Sequence, residues 1–148
     1  MKVLRINAKD TRLIRQKVLR PGRPLADCIF EGDEDDQTFH LGAFRESKLV
    51  SIASFYFEKH PDIDEPYQYR LRGMATLPEF QRLGLSSALL KTGFPIVKQN
   101  FCHLVWCNAR ENAVGFYASI GFKSVGELFT IPDVGAHMLM IYDLPQKI

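Results

Sequence analysis

At 148 residues and 46% hydrophobic composition, the chain can build one core and is too short for two, since single domains run to about 100–150 residues. Lys plus Arg number 19 against 17 for Asp plus Glu, and a formal charge of +2 argues for neither a nucleic-acid nor a membrane surface. No basic stretch leading into an apolar run opens the chain, and no apolar run reaches the roughly 18 residues of a membrane span, so a cytoplasmic protein is expected.

Lys2 to Asn7 alternates as a strand does, and from Asp10, read as an N-cap, Leu13, Ile14, Val18 and Leu19 fall on one helical stripe. Pro21-Gly22 and Pro24 stop that helix, and the acidic stretch Glu31 to Asp36 has no apolar period, which predicts an exposed, solvated loop. Thr38 to Arg45 and Lys48 to Glu58 are strand-like runs separated only by Glu46 and Ser47, an antiparallel hairpin. Tyr67 to Leu77 is a further strand with Tyr69 and Leu71 on one face, Arg70 and Arg72 on the other, and Gly73 marking a bulge.

After the loop Glu79 to Gly84, Leu85, Ala88, Leu89, Thr92 and Ile96 outline a helical face, whose later part Gly93 and Pro95 should weaken or kink. Phe101 to Cys107 is a short apolar strand. Asn108 is placed to cap a helix presenting Ala113, Phe116, Tyr117 and Ile120, with Glu111 positioned for a capping box and Gly121 for the closing left-handed turn. Phe122 to Thr130 and His137 to Leu144 read as two last strands. No linker divides the chain, so one domain over residues 1–148 is expected.

Chemistry concentrates at Gln81-Arg82-Leu83-Gly84-Leu85-Ser86. Small residues two apart open a helix directly after a strand and loop, where free backbone N–H groups and the helix dipole can receive a phosphate. The segment lacks the Gly-Lys-Ser/Thr of a P-loop and the full GxGxxG of a dinucleotide fold. Taken alone it also reads as an ordinary helix start whose Gly84 and Ser86 permit close packing. In chain order, Gln81-x-x-Gly84-x-Ser86, then a helix and a strand, then Asn108-Ala109-Arg110 and Ala113-x-x-Phe116-Tyr117-x-x-x-Gly121-Phe122, it resembles the GNAT acetyltransferase family. The likeness spans nearly the whole chain in element order and is close over residues 70 to 122.

The resemblance implies an α/β GNAT fold: a mixed, largely antiparallel sheet of about seven strands flanked by helices, with its two central strands splayed. Acetyl-CoA would be the co-substrate, its pantetheine arm between Tyr67–Leu77 and Phe101–Cys107, paired with backbone groups of Met74, Ala75 and Thr76. Its pyrophosphate would meet Gln81, Arg82, Leu83, Gly84, Leu85 and Ser86, where serine replaces the usual final glycine or alanine and still leaves its N–H free. A backbone N–H of the Gly73–Met74 bulge would face the developing oxyanion. Tyr117 would give its proton to the leaving thiolate, and the apolar stripe it shares with Phe116 also reads as plain core. Asn108 reads as the cap and as a polar contact to pantetheine or substrate.

No base is assigned. Glu58, Glu79 and Glu111 read as solvated surface carboxylates, while Arg72 reads either as a clamp for an acidic acceptor or as a surface charge. His40, His60, His103 and His137 are scattered over unrelated elements, and no metal is predicted. The three cysteines, Cys28, Cys102 and Cys107, are odd in number and lack CxxC spacing, which suggests reduced thiols. Cys102 and Cys107, an odd number apart on one strand, should face opposite ways, so no acetyl-cysteine intermediate is expected. The reading is direct transfer, in an ordered ternary complex, to a primary amine of a small molecule, amino acid or peptide, in a chain for which the family admits a homodimer. Its rival is a non-catalytic acyl-CoA-binding or regulatory module, supported by the missing base.

Overall fold

The computed structural model of the chain describes residues 1–145. Its strands are β1 Lys2–Ile6, β2 Phe39–Arg45, β3 Lys48–Phe57, β4 Gln68–Thr76, β5 Leu104–Arg110, β6 Lys123–Ile131 and β7 Gly135–Asp143. They form one seven-stranded sheet in the order β1-β2-β3-β4-β5-β7-β6. Every neighbouring pair is antiparallel except β4 and β5, which run parallel and are joined through helix α2, Leu85–Gln99. This is the mixed, largely antiparallel α/β sheet expected from the sequence. The two-residue turn at Glu46 and Ser47 has φ of 50° and 68°, the left-handed pair whose twist matches that of the strands it joins.

β4 and β5 pair only at Gln68↔Leu104, Tyr69↔Val105 and Arg70↔Trp106, then part. The cause lies on the other edge of β4. Between the pairs Ser54↔Arg72 and Ile52↔Ala75, two residues of β4, Gly73 and Met74, face the single Ala53 of β3. Gly73 sits at φ +66°, which L side chains rarely adopt, and the extra residue bends the strand away from β5.

Each face of the sheet is covered by a helical layer. α2 lies over Phe55, and a Cβ at Gly93 would collide with that ring, so this glycine permits close approach of helix to sheet. The buried face of α2 is Leu85, Leu89, Leu90, Gly93, Phe94 and Val97, turned from the expected one, with Ala88, Thr92 and Ile96 only half-buried. Pro95 is exposed, its missing N–H faces solvent, and the helix continues to Gln99. The opposite face carries the N-terminal helical segment, built of a 3-10 turn Ala8–Thr11, one α turn α1 Arg12–Ile14 and a π turn Arg15–Leu19. Its cap position is Asn7, not Asp10; Asp10 instead accepts the Asn7 N–H at 2.9 Å. Leu13 is 69% exposed, because Arg15 rather than Leu13 turns into the protein.

Three other expectations give way to tertiary contacts. Asn108 is no helix cap and Glu111 forms no capping box with it, because β5 runs to Arg110, each residue paired with β7 from Leu104↔Asp143 to Arg110↔His137. Only then do a 3-10 turn, Glu111–Ala113, and helix α3, Val114–Ile120, follow, closed by Gly121 as expected. Cys102 lies before β5, so alternation does not separate it from Cys107, and both thiols are buried in one core cluster. The acidic stretch is exposed except at Asp33, which is 5% exposed and paired with Arg15.

Candidate active site

Where β4 and β5 part, a cleft of ≈ 710 Å³ opens, bordered by the bulge, by β5, by α3, by the β6–β7 turn and by residues following the N-terminal helical segment. Of the residues singled out in the sequence, Arg72, Met74, Asn108 and Tyr117 meet there. Tyr117 is 8% exposed and lies 5.3 Å and 5.2 Å, ring to ring, from Phe116 and Phe122. Burial pushes its pKa above the ordinary tyrosine value, with the Cys107 sulfur adding in the same direction, so the phenol stays protonated. Cys107 also borders the cleft, but burial raises its thiol to about 12, and Cys102 to about 11. Neither is a thiolate nucleophile at neutral pH. Asn108 is half-buried, and its Oδ1 has no hydrogen-bond partner among the described residues. A buried amide oxygen left unpaired costs about 1–3 kcal/mol, and a donor entering the cleft removes that cost.

Ala75 and Thr76 are buried at the end of β4, their edge towards β5 unpaired by strand. The Gln81–Ser86 loop lies outside the lining of the cleft and is tied to that strand end. Gln81 Nε2 donates to the Thr76 carbonyl at 3.3 Å, and Ser86 Oγ lies 3.3 Å from Thr76 Oγ1. Gln81, Arg82, Leu83 and Gly84 are exposed, whereas Leu85 is buried and offers only its backbone. Gly84 occupies the N-cap at φ 80° and no side chain caps the helix. The first N–H groups of a 15-residue helix therefore face outwards without intrahelical partners.

On the opposite face of the sheet stands a buried network that the sequence reading did not find. Arg15 donates through Nη1 to Asp33 Oδ2 at 2.7 Å and through Nη2 to Asp33 Oδ1 at 3.0 Å, Ser54 Oγ at 3.0 Å and Tyr56 Oη at 3.1 Å. His40 Nε2 lies 2.9 Å from the Asp33 carbonyl, which can only accept, so that nitrogen carries the hydrogen and Nδ1 accepts from Ser54 Oγ at 2.7 Å. The Arg15 guanidinium stacks 4.0 Å from the centroid of Phe30, which borders the cleft. Its signal in the sequence is that Ser54 and Tyr56, two apart, share one face of a largely apolar strand.

His137 is also missed as a site residue. It lines the cleft from β7, is 4% exposed, and donates from Nδ1 to the Gly135 carbonyl at 2.8 Å, while Nε2 has no hydrogen-bond partner among the described residues. Glu58, Glu79 and Glu111 are exposed and none borders this cleft. Glu58 instead pairs with Arg70 at 3.3 Å, beside a second depression of ≈ 430 Å³ that also holds Glu31, Asp35 and Asp36. No group of three or more His, Cys, Asp or Glu gathers as a metal site among the described residues. No described helix is long and apolar enough to cross a membrane.

A split sheet with an uncapped helix N-terminus beside the split is the arrangement that the sequence resemblance implies. The family model described as acetyltransferase (GNAT) family matches residues 8–122. YitI of Bacillus subtilis (strain 168), an uncharacterised N-acetyltransferase, is 39% identical over 140 residues, covering 95% of this chain and 94% of its own. Among solved structures, an aminoglycoside 6'-N-acetyltransferase complexed with coenzyme A is similar at a TM-score of 0.77 and 13% identity, covering 100% of both chains. The ribosomal-protein-S18-alanine N-acetyltransferase from Escherichia coli is similar at a TM-score of 0.74 and 16% identity, over 99% of this chain and 95% of that one. The chain belongs to the GNAT family, as an acyl-CoA-dependent N-acetyltransferase.

Proposed function

We propose that this protein transfers the acetyl group directly from acetyl-CoA to a primary amine of a small molecule, amino acid or peptide, inside the seam between β4 and β5. The observation that carries the reading is the unpaired edge of β4 from Leu71 to Thr76, ending beside the bare N-terminus of α2. A pantetheine arm, itself an amide chain, supplies the missing strand pairing to Met74, Ala75 and Thr76. The backbone N–H groups from Gln81 to Ser86 take the pyrophosphate, and the unpaired Asn108 oxygen takes a donor from the arm or the acceptor. The N–H at the Gly73–Met74 bulge faces the carbonyl oxygen as negative charge develops.

The roles of proton donor and acceptor fall to two residues of the cleft. Tyr117, protonated and beside the parted strands, hands its proton to the departing CoA sulfur and takes in return the second proton that the newly acylated nitrogen sheds. His137, which lines the cleft and donates from Nδ1 to the Gly135 carbonyl, takes at Nε2 the proton that the ammonium must lose before it attacks. The buried, reduced thiols accord with a cytoplasmic protein.

The test is release of free CoA thiol from acetyl-CoA across a panel of amines, amino acids and peptides. Amine-dependent release is expected. Replacing Tyr117→Phe lowers kcat by about 10²–10⁴-fold while CoA affinity holds. Because burial raises the Tyr117 pKa, its protonated form outlasts the ordinary value of about 10, so kcat shows no falling limb below about pH 10. CoA binding without thiol release on any acceptor would make the protein a binding module instead.

A further inference from the structure

We propose that the amine acetylated in this cleft carries an anionic group, a carboxylate or phosphate close to its nitrogen, gripped by Arg72 and Arg20 around the ring of Phe30. The inference rests on the acetyl-transfer reading and narrows it to a substrate class.

Three guanidinium groups surround that one ring, those of Arg15, Arg72 and Arg20 at 4.0, 4.3 and 5.0 Å from its centroid. Arg15 is neutralised by Asp33, while Arg70 and Arg23 nearby have Glu58 and Asp27. Among the described residues, no carboxylate stands within ion-pair distance of Arg72 or Arg20. Arg20 gives one hydrogen bond, at 2.9 Å, to the Asp27 carbonyl, a neutral acceptor. Burial lowers the pKa of Arg72, and Arg70, Arg20 and Arg15 act in the same direction, yet a guanidinium does not give up its proton in a protein. An arriving anion relieves what deprotonation cannot.

Position fits a substrate and not the phosphates of CoA. Arg72 sits opposite Ser54, on the sheet face of the Arg15 network, whereas α2 and its phosphate-binding end cover the face of Phe55. The ring of Phe30 borders the reaction centre as well, since a Cβ at Gly73 would lie 3.2 Å from its Cε2. Arg72 directly precedes the Gly73–Met74 bulge on β4, so a group held by its guanidinium stands beside the proposed reaction centre. Arg72 also borders the second depression, where the exposed Glu31, Asp35 and Asp36 stand without reaching ion-pair distance of it.

The experiment is titration calorimetry on the CoA-loaded protein, with thiol release from acetyl-CoA measured in parallel. Probes are amino acids against their amides, which carry a neutral carboxamide in place of the carboxylate, and phosphoethanolamine against ethanolamine, with binding compared at a pH where every amine is protonated. The anionic member of a pair is expected to bind about 10–100-fold more tightly. Arg72→Ala erases that preference and leaves CoA affinity unchanged, Arg72→Lys restores part of it, and Arg20→Ala weakens it. Which pair shows the larger gap distinguishes carboxylate from phosphate. Equal binding of acid and amide, a preference that survives Arg72→Ala, or no binding of any anionic amine would overturn the inference. Anionic binding without thiol release would keep the clamp and remove the transfer reading; release from neutral amines with no anion preference would do the reverse.

Discussion

Arg15 is fully buried in the face of the sheet opposite α2, and Asp33 makes that placement tolerable. Burial alone would raise the Asp33 pKa, but hydrogen bonds from Arg15, Tyr56 and the Phe30 N–H, with the Arg15 charge, outweigh it and hold the carboxyl below its ordinary value. His40 is displaced downwards as well, chiefly by burial, so it stays neutral. Both signs point the same way. A lowered folded-state pKa means stability that is present above the unfolded value and lost as pH falls through it. Melting temperature should therefore decline from about pH 6.5 downwards as unfolded His40 takes up its proton, and more steeply below about pH 4 through Asp33. Asp33→Asn leaves Arg15 buried without its anion and should cost about 3–5 kcal/mol in urea unfolding at pH 7, a gap that narrows below pH 4. An unchanged midpoint would show that the pair contributes nothing to the fold.

At the scale of elements, the bulge in β4 joins fold to chemistry, because the same two residues bend the strand from β5 and border the cleft. Gly73→Ala forces a side chain into φ +66° and against Phe30. The expected outcome is a fall of at least tenfold in kcat with CoA affinity changed little, since α2 and its loop are untouched; wild-type kcat would separate the bulge from catalysis. Much of this element was legible in advance. Gly73 interrupts a strand, Gly84 opens a helix, and each is a local demand that a glycine meets at the spot. Asn108 misled because its local cap signal is outweighed by seven rungs of pairing to β7, a partner about thirty residues away whose register no local pattern displays. The face of α2 misled because Gly93, which looks like a weak point in a helix, is the contact with Phe55. Arg15 and Asp33, 18 residues apart, were invisible as a pair, since only the folded sheet brings them together.

At the scale of the whole molecule, the sheet is two pieces hinged at three residue pairs, with helices on both faces and the proposed reaction centre where the pieces part. On the proposed binding mode a cofactor arm in the seam would complete the strand pairing that the protein leaves open, and ligand binding to the folded state alone raises its stability by mass action. Amide hydrogen exchange with and without CoA tests this most directly. The account predicts new protection at Met74 and Thr76 on the open edge of β4 and at Leu85, Ser86 and Ser87 in the first turn of α2, with little change in β1, β2 and β6. Tight CoA binding that protects other amides and leaves the β4 edge exchanging as before would contradict it.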